Sequence, residues 1–351
     1  MDSKIAIISQ YFKGNSNCNN QAIPIARQGH ASCLYNDNEI YIFSGRIPSD
    51  NGVNRKYIKD FWNFNVKDNK WTKIEVECPA ERHSHSLCVY KNIIYLFGGS
   101  NNTEYFDDLW AFNINLYKWS KIPSSKFSPT SRHGHSATVY KNLMIIFAGK
   151  QGYGNEAKYL NDIYAFDFEK QEWVDFKTKN TDLIEKRCWH TCTFVESINS
   201  SIILFGGFKI DNSREIYFND TWILDLNSLE WKKVHFELKN CFPHERNRHI
   251  AIHMKSFSNN SSSEYILIHS GNYLNESYKD IWLEDLFLLE MNSSLNEFKW
   301  IKLNVETIQD CQMSRSQHTA EYINHYSEIL CFGGEHSRKR FNDIISIKIL
   351  L

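Results

Sequence analysis

Six times along the chain an arginine stands three residues ahead of a histidine: Arg27/His30, Arg82/His85, Arg132/His135, Arg187/His190, Arg246/His249 and Arg315/His318. Successive arginines lie 55, 50, 55, 59 and 69 residues apart, the period of one small folding unit copied and stacked. Chemistry particular to this chain must then be sought in what differs between copies.

Other marks fall in register with these boxes. An aromatic-small-glycine stop follows each histidine: Phe43-Ser44-Gly45, Phe97-Gly98-Gly99, Phe147-Ala148-Gly149, Phe205-Gly206-Gly207, His269-Ser270-Gly271 and Phe332-Gly333-Gly334. Next comes an Asp before an apolar, aromatic or Thr-Trp pair, at Asp60, Asp108, Asp162, Asp220, Asp280 and Asp343. In the first four copies a tryptophan (Trp71, Trp119, Trp173, Trp231) lies 11 residues beyond that Asp. In the fifth, Trp300 lies 20 beyond Asp280, which predicts an insertion between them. Ile93–Phe97 and Ile202–Phe205 are continuous apolar runs closed by glycines, as expected of strands buried on both faces. Trp110-Ala111-Phe112 and Tyr164-Ala165-Phe166 alternate like outer strands. Four strands per copy and no helix follow from the pattern.

Together these marks resemble the kelch repeat, from about Arg27 to Leu351. The resemblance implies an all-β fold, a six-bladed β-propeller of four antiparallel strands per blade, with the Arg-x-x-His strand innermost and the tryptophan strand outermost. The blades fall at about 27–78, 79–128, 129–183, 184–241, 242–310 and 311–351, in one domain. The sixth copy ends without a tryptophan strand. Ile5-Ala6-Ile7-Ile8-Ser9-Gln10-Tyr11-Phe12 is the one apolar run ahead of the first copy, so a strand over 4–12 within the 1–26 leader is expected to complete the last blade and close the ring.

Aromatic residues make up 15% of the chain and the formal net charge is -1, which supplies a core and no global field to attract nucleic acid. No stretch approaches a membrane span or the core of a signal peptide. The nine cysteines show no Cys-x-x-Cys spacing, a usage that fits free thiols in a reducing, cytoplasmic setting.

His83-Ser84-His85 and His133-Gly134-His135 have the look of metal-ligand pairs. His85 and His135 fill a place that is histidine in every copy, however, and a residue demanded six times answers a structural need such as a hydrogen bond between blades. The recurring arginines read the same way, as guanidinium bridges to loop carbonyls between blades. Iron boxes, sialidase-type Asp boxes, phosphate-cradling loops, nucleophile elbows and zincin helices are absent from the sequence. No catalytic residue, cofactor or metal is expected.

In an antiparallel blade the connections after strands two and four share one face, the usual partner-binding face in the family that this chain resembles. Arg46, Arg55 and Lys56 of the first copy and Arg338, Lys339 and Arg340 of the last are expected side by side across the closed ring, as a basic arc for an acidic, carboxylate-bearing or phosphorylated segment or as a solvated charge run. The variable third position of the boxes places Ser84, Trp189, Arg248 and Gln317 at the channel mouth, with Trp189 either a binding anchor or a side chain packed on a neighbouring blade. Two polar stretches in the fifth copy, around Ser258–Ser263 and Asn292–Asn296, read as loops without chemistry. The expected function is that of a protein-protein interaction module or scaffold. The alternatives are a substrate receptor joined to a ubiquitin ligase through a separate subunit, and an enzyme with its site at the channel mouth.

Overall fold

The run Ile93–Phe97 shows how the repeat folds. Its residues pair antiparallel with Ser86–Tyr90 on one side and Leu109–Asn113 on the other, and Ile94, Leu96 and Phe97 are fully buried. With Lys118–Ile122 outermost this makes one four-stranded blade. The computed structural model describes residues 5–12, 22–48, 56–236, 241–255, 263–292, 297–308 and 311–350, which form six such blades in a ring. Among these residues the helical content is three short 3-10 turns.

A blade has two apolar faces and cannot cover either by itself. The core is therefore six separate clusters, one at each junction between neighbouring blades. The phenylalanine before the glycines is the wedge of five of the six junctions, blade 5 having His269 in its place. Phe97 of blade 2 packs its ring against both His135 and Trp173 of blade 3, at centroid distances of 5.2 Å each. Phe43, Phe147 and Phe205 do the same toward the blades that follow them. Edge-on and tilted contacts of this kind add to the area that the rings bury.

Ile5–Phe12 pairs antiparallel with Ile344–Leu350 and so supplies the fourth strand of blade 6. Ile8 stands opposite Ile347 and is fully buried, in the place that tryptophan holds elsewhere. Asn304–Ile308, from the connection between blades 5 and 6, adds a parallel strand outside it, so this blade has five strands. That outer strand was not expected from sequence.

Blade 5 corrects the reading of its Asp. Asp280–Trp282 pairs with Asn272–Leu274 in a separate ribbon over the box face. The third strand is Leu286–Asn292, in which Leu289 stands opposite Trp300 as Phe64 stands opposite Trp71. Asp285 is thus the true equivalent, and Trp300 lies 15 residues beyond it. The polar stretches at 256–262 and 293–296 lie outside the described residues.

Candidate functional site

Each box arginine closes its own blade. The Arg82 guanidinium donates to both carboxylate oxygens of Asp108, at 2.6 and 3.1 Å, and to the Gly98 carbonyl, while its Nε donates to the Ala80 carbonyl. Arg27/Asp60, Arg132/Asp162, Arg187/Asp220, Arg246/Asp285 and Arg315/Asp343 repeat the ion pair. The expected bridge between blades by guanidinium is therefore corrected to one within a blade. The link between blades runs through the backbone, where Gly45 N–H donates to the Arg82 carbonyl and Gly99 N–H to that of Arg132. Burial works to raise the Asp108 and Asp220 pKa values, but the hydrogen bonds and charges of Arg82 and Arg187 hold both carboxyls below their ordinary range.

Four of the six box histidines join blades through a hydroxyl. His135 Nε2 meets Ser86 Oγ at 2.9 Å, and His190, His249 and His30 meet Ser136, Thr191 and Thr319 at 3.0 Å. In each case the hydroxyl belongs to the residue after the histidine of the preceding blade. Burial pushes their pKa values down, His30 and His135 to about 3, so the rings are neutral and serve as hydrogen-bonding struts.

At the channel mouth the third box positions form a ring. Gly29 N–H donates to the Gln317 carbonyl, Ser84 to Gly29, Gly134 to Ser84, Trp189 to Gly134, Arg248 to Trp189 and Gln317 to Arg248, over 2.7 to 3.1 Å. This closed circle of six backbone hydrogen bonds holds all six residues at φ between 52° and 62°. Left-handed backbone suits Gly29 and Gly134, whereas side chains there cost roughly 1 kcal/mol or more each. Ser84, Trp189, Arg248 and Gln317 carry side chains regardless, and all four line one cavity of about 130 Å³ with Gly29 and Gly134.

The four predicted residues are thus brought together. The Trp189 indole leans across Gly134, where a Cβ would stand 2.8 Å from its Cδ1 and Nε1, and its Nε1 lies 3.4 Å from Ser84 Oγ. Phe208 stacks on it at 5.8 Å and His133 tilts against it at 5.5 Å. The Arg248 guanidinium lies 4.0 Å above the indole ring, a cation–π contact. Trp189 therefore packs on a neighbouring blade and stays half-exposed at the mouth. Arg248 is also half-buried, with its Nε buried and lacking a hydrogen-bond partner, and no carboxylate pairs with it among the described residues.

The basic arc is assembled only in part. Blade 6 does stand beside blade 1: Arg340 Nε donates to Gln28 Oε1 at 2.9 Å, and Gln28 pairs through its backbone with Arg46. A buried carboxylate interrupts the positive charge, however, since Glu335 accepts from Gln317 Nε2 at 2.9 Å and lies 3.8 Å from the Arg46 guanidinium. Lys56, Arg338 and Lys339 are exposed, with Lys339 Nζ 5.4 Å over the Phe341 ring. Arg55 lies outside the described residues.

Sequence reasoning missed a second tier. The residue directly after each glycine pair bridges the second box position, which sets Ser100 opposite His83, Lys150 opposite His133, Phe208 opposite Cys188 and Glu335 opposite Ser316. His83 and His133, both buried, share Ser100, through its carbonyl at 2.8 Å and its Oγ at 2.7 Å, which ties blade 2 to blade 3. The fixed offset from the glycine pair was the signal available.

A family model described as the KLHDC2/KLHL20/DRC7 Kelch-repeats domain matches residues 15–207 and 180–349. Kelch domain-containing protein 3 of Homo sapiens is 28% identical over 233 residues, and that of Rattus norvegicus 26% identical over 241 residues. Both matches cover 64% of this chain and span 58% of the relative's length. A solved structure titled "Structure of YjhT" superposes with a TM-score of 0.66 over 94% of this chain and 99% of that one, at 15% identity, a likeness of fold alone.

Proposed function

The chain belongs to the kelch-repeat family, and from that premise we propose that its box-face mouth captures a carboxylate-bearing or acidic segment of a protein partner. The observation that carries this reading is Arg248, held 4.0 Å over the Trp189 indole with no acid of its own among the described residues. A guanidinium braced on an aromatic ring and short of an acceptor is a ready receptor for a carboxylate. Arg46 and Arg340 flank it on the blade 6 and blade 1 side, and Glu335 holds Gln317 in place between them. Four side chains kept at left-handed backbone add weight, since strain of that kind gathers at binding sites.

The test is affinity capture from native lysate with wild type, Trp189→Ala and Arg248→Glu, each first shown to melt normally, followed by titration of the captured partner's acidic peptide. Loss of a central aromatic or arginine anchor weakens binding by about 30-fold or more. Partners retained undiminished by both variants would place the site elsewhere.

A further inference from the structure

The junction between blades 5 and 6 differs from the other five at several places at once. His269 stands where the other blades have Phe43, Phe97, Phe147, Phe205 and Phe332. Ile250 stands in place of the hydroxyl that the box histidine of the next blade meets at Ser86, Ser136, Thr191 and Thr319, a lack shared by Ala31 alone. Cys331 replaces an aliphatic residue, Ile42, Leu96, Ile146, Leu204 or Ile268 in the other blades. The tryptophan of this junction is Ile8. As a result His269, His318 and Cys331, all buried, bring two imidazole nitrogens and a thiol within 4.8 Å of one another.

We propose that these three side chains form a binding site for a monovalent copper ion, Cu+, held by His269 Nδ1, His318 Nε2 and the Cys331 thiolate. The two nitrogens are 3.3 Å apart. Metal–nitrogen bonds of about 2.0–2.1 Å separate two nitrogen ligands by about 3.3 to 3.6 Å, and a metal–sulfur bond of about 2.3 Å asks the Cys331 sulfur to move inward by roughly 1 Å. The tautomer is prepared as well. Ser270 Oγ donates to the Met313 carbonyl at 3.0 Å, so it accepts from His269 Nε2–H at 2.9 Å. That bond leaves the Nδ1 lone pair aimed at His318, the outer-shell arrangement by which proteins orient a ligating imidazole.

Charge and coordination select the ion. The site is buried and has three donors; Cu+ with one thiolate and two neutral imidazoles is electrically neutral and satisfied by three ligands. Zn2+ would leave a buried unit charge and lack a fourth ligand. The neighbouring Arg315 charge is already cancelled by Asp343 at 3.0 Å. Without an ion, the His269–His318 contact stands in for the missing hydroxyl. That role needs no Cys331, and His85 opposite Ala31 manages with neither ring nitrogen partnered.

The test uses the whole 351-residue chain, loaded with Cu+ under anaerobic reducing conditions against a chromogenic Cu+ chelator. His269→Phe and Cys331→Ile serve as variants because each restores a residue that other blades carry, and their melting is checked first. Wild type should hold one equivalent of Cu+ more than either variant, at least about 100-fold more tightly, with one sulfur and two nitrogens in the X-ray absorption shell and one proton released on binding. Equal uptake by wild type and both variants would overturn the proposal by assigning the copper to other thiols. Preference for Zn2+ in direct competition would overturn it too.

Discussion

Acidification should destabilise this propeller well above the ordinary carboxylate range. His85, His135, His190 and His249 are buried, and burial is the largest cause that pushes each pKa down, to about 3 for His135. In the unfolded chain the same rings titrate near 6.5. Below pH 6.5 the unfolded state takes up protons that the folded state refuses, so stability is fully present above that value and falls as pH drops toward 3. One pH unit below 6.5 each ring subtracts about 1.4 kcal/mol, and four together about 6 kcal/mol; Glu321, whose burial raises its pKa to about 7, protonates first in the folded state and gives back about 2 kcal/mol, which leaves a net loss of about 4 kcal/mol against a typical total of about 5–15 kcal/mol. The Asp108 and Asp220 carboxyls, held low by their arginines, add their own loss only below about pH 4. Urea unfolding followed by tryptophan fluorescence at pH 7.5, 6.5 and 5.5 gives the number of protons taken up from the slope of the unfolding constant. Replacing His135 by Gln keeps a polar end near Ser86 and should lower that number by about one. A midpoint that stays level between pH 7.5 and 5.5, or a slope indifferent to His135→Gln, would refute the reasoning.

Asp285→Ala should destabilise the fold by about 3–5 kcal/mol, because it strands the buried Arg246 charge, whereas Asp280→Ala should stay within about 0.5 kcal/mol; denaturant midpoints of the pair decide which Asp belongs to blade 5. Ser84→Gly relieves a left-handed backbone at φ 52° and should raise stability by up to about 1 kcal/mol in thermal melts, with the partner's affinity nearly kept. Ile8→Ala, which hollows the closing strand where it is fully buried, should lower stability by about 2–5 kcal/mol, while Ile7→Ala on the half-exposed side costs less; equal effects would mean that the strand does not seal the ring.

What was legible in the sequence is what six copies repeat. The box arginine and histidine each do one local task per blade, so their spacing reveals the ring, and the apolar run Ile5–Phe12 was the one candidate for the missing strand. Asn304–Ile308 was not legible, because a strand added outside a finished blade buries little and leaves no apolar signature. The fifth Asp was misplaced for a related reason. Asp280-Ile281-Trp282 imitates Asp60-Phe61-Trp62 in type, and nothing local tells which carboxylate reaches Arg246 across a long loop. The mouth residues were found by position, but the reason they converge is a backbone circle that no side chain announces.

That circle bears on how a symmetric scaffold makes an asymmetric site. The six hydrogen bonds at the mouth use only main-chain atoms, so they specify a left-handed backbone at every third box position and leave the side chain open. Glycine is the least strained occupant, and where it occurs, at Gly29 and Gly134, the neighbouring side chain fills the room: Gln317 Oε1 and Trp189 Nε1 would lie 3.1 and 2.8 Å from an added Cβ. Each glycine thus makes space for the larger residue of the next or previous blade. Trp189 needs Gly134 in order to lean across it, and Arg248 needs Trp189 beneath it. Gly134→Ala should therefore lift the indole and release Arg248, weakening partner binding about as much as Arg248→Ala does, although it removes no polar group from the mouth. If Gly134→Ala binds as wild type does, Trp189 is not the platform on which Arg248 rests.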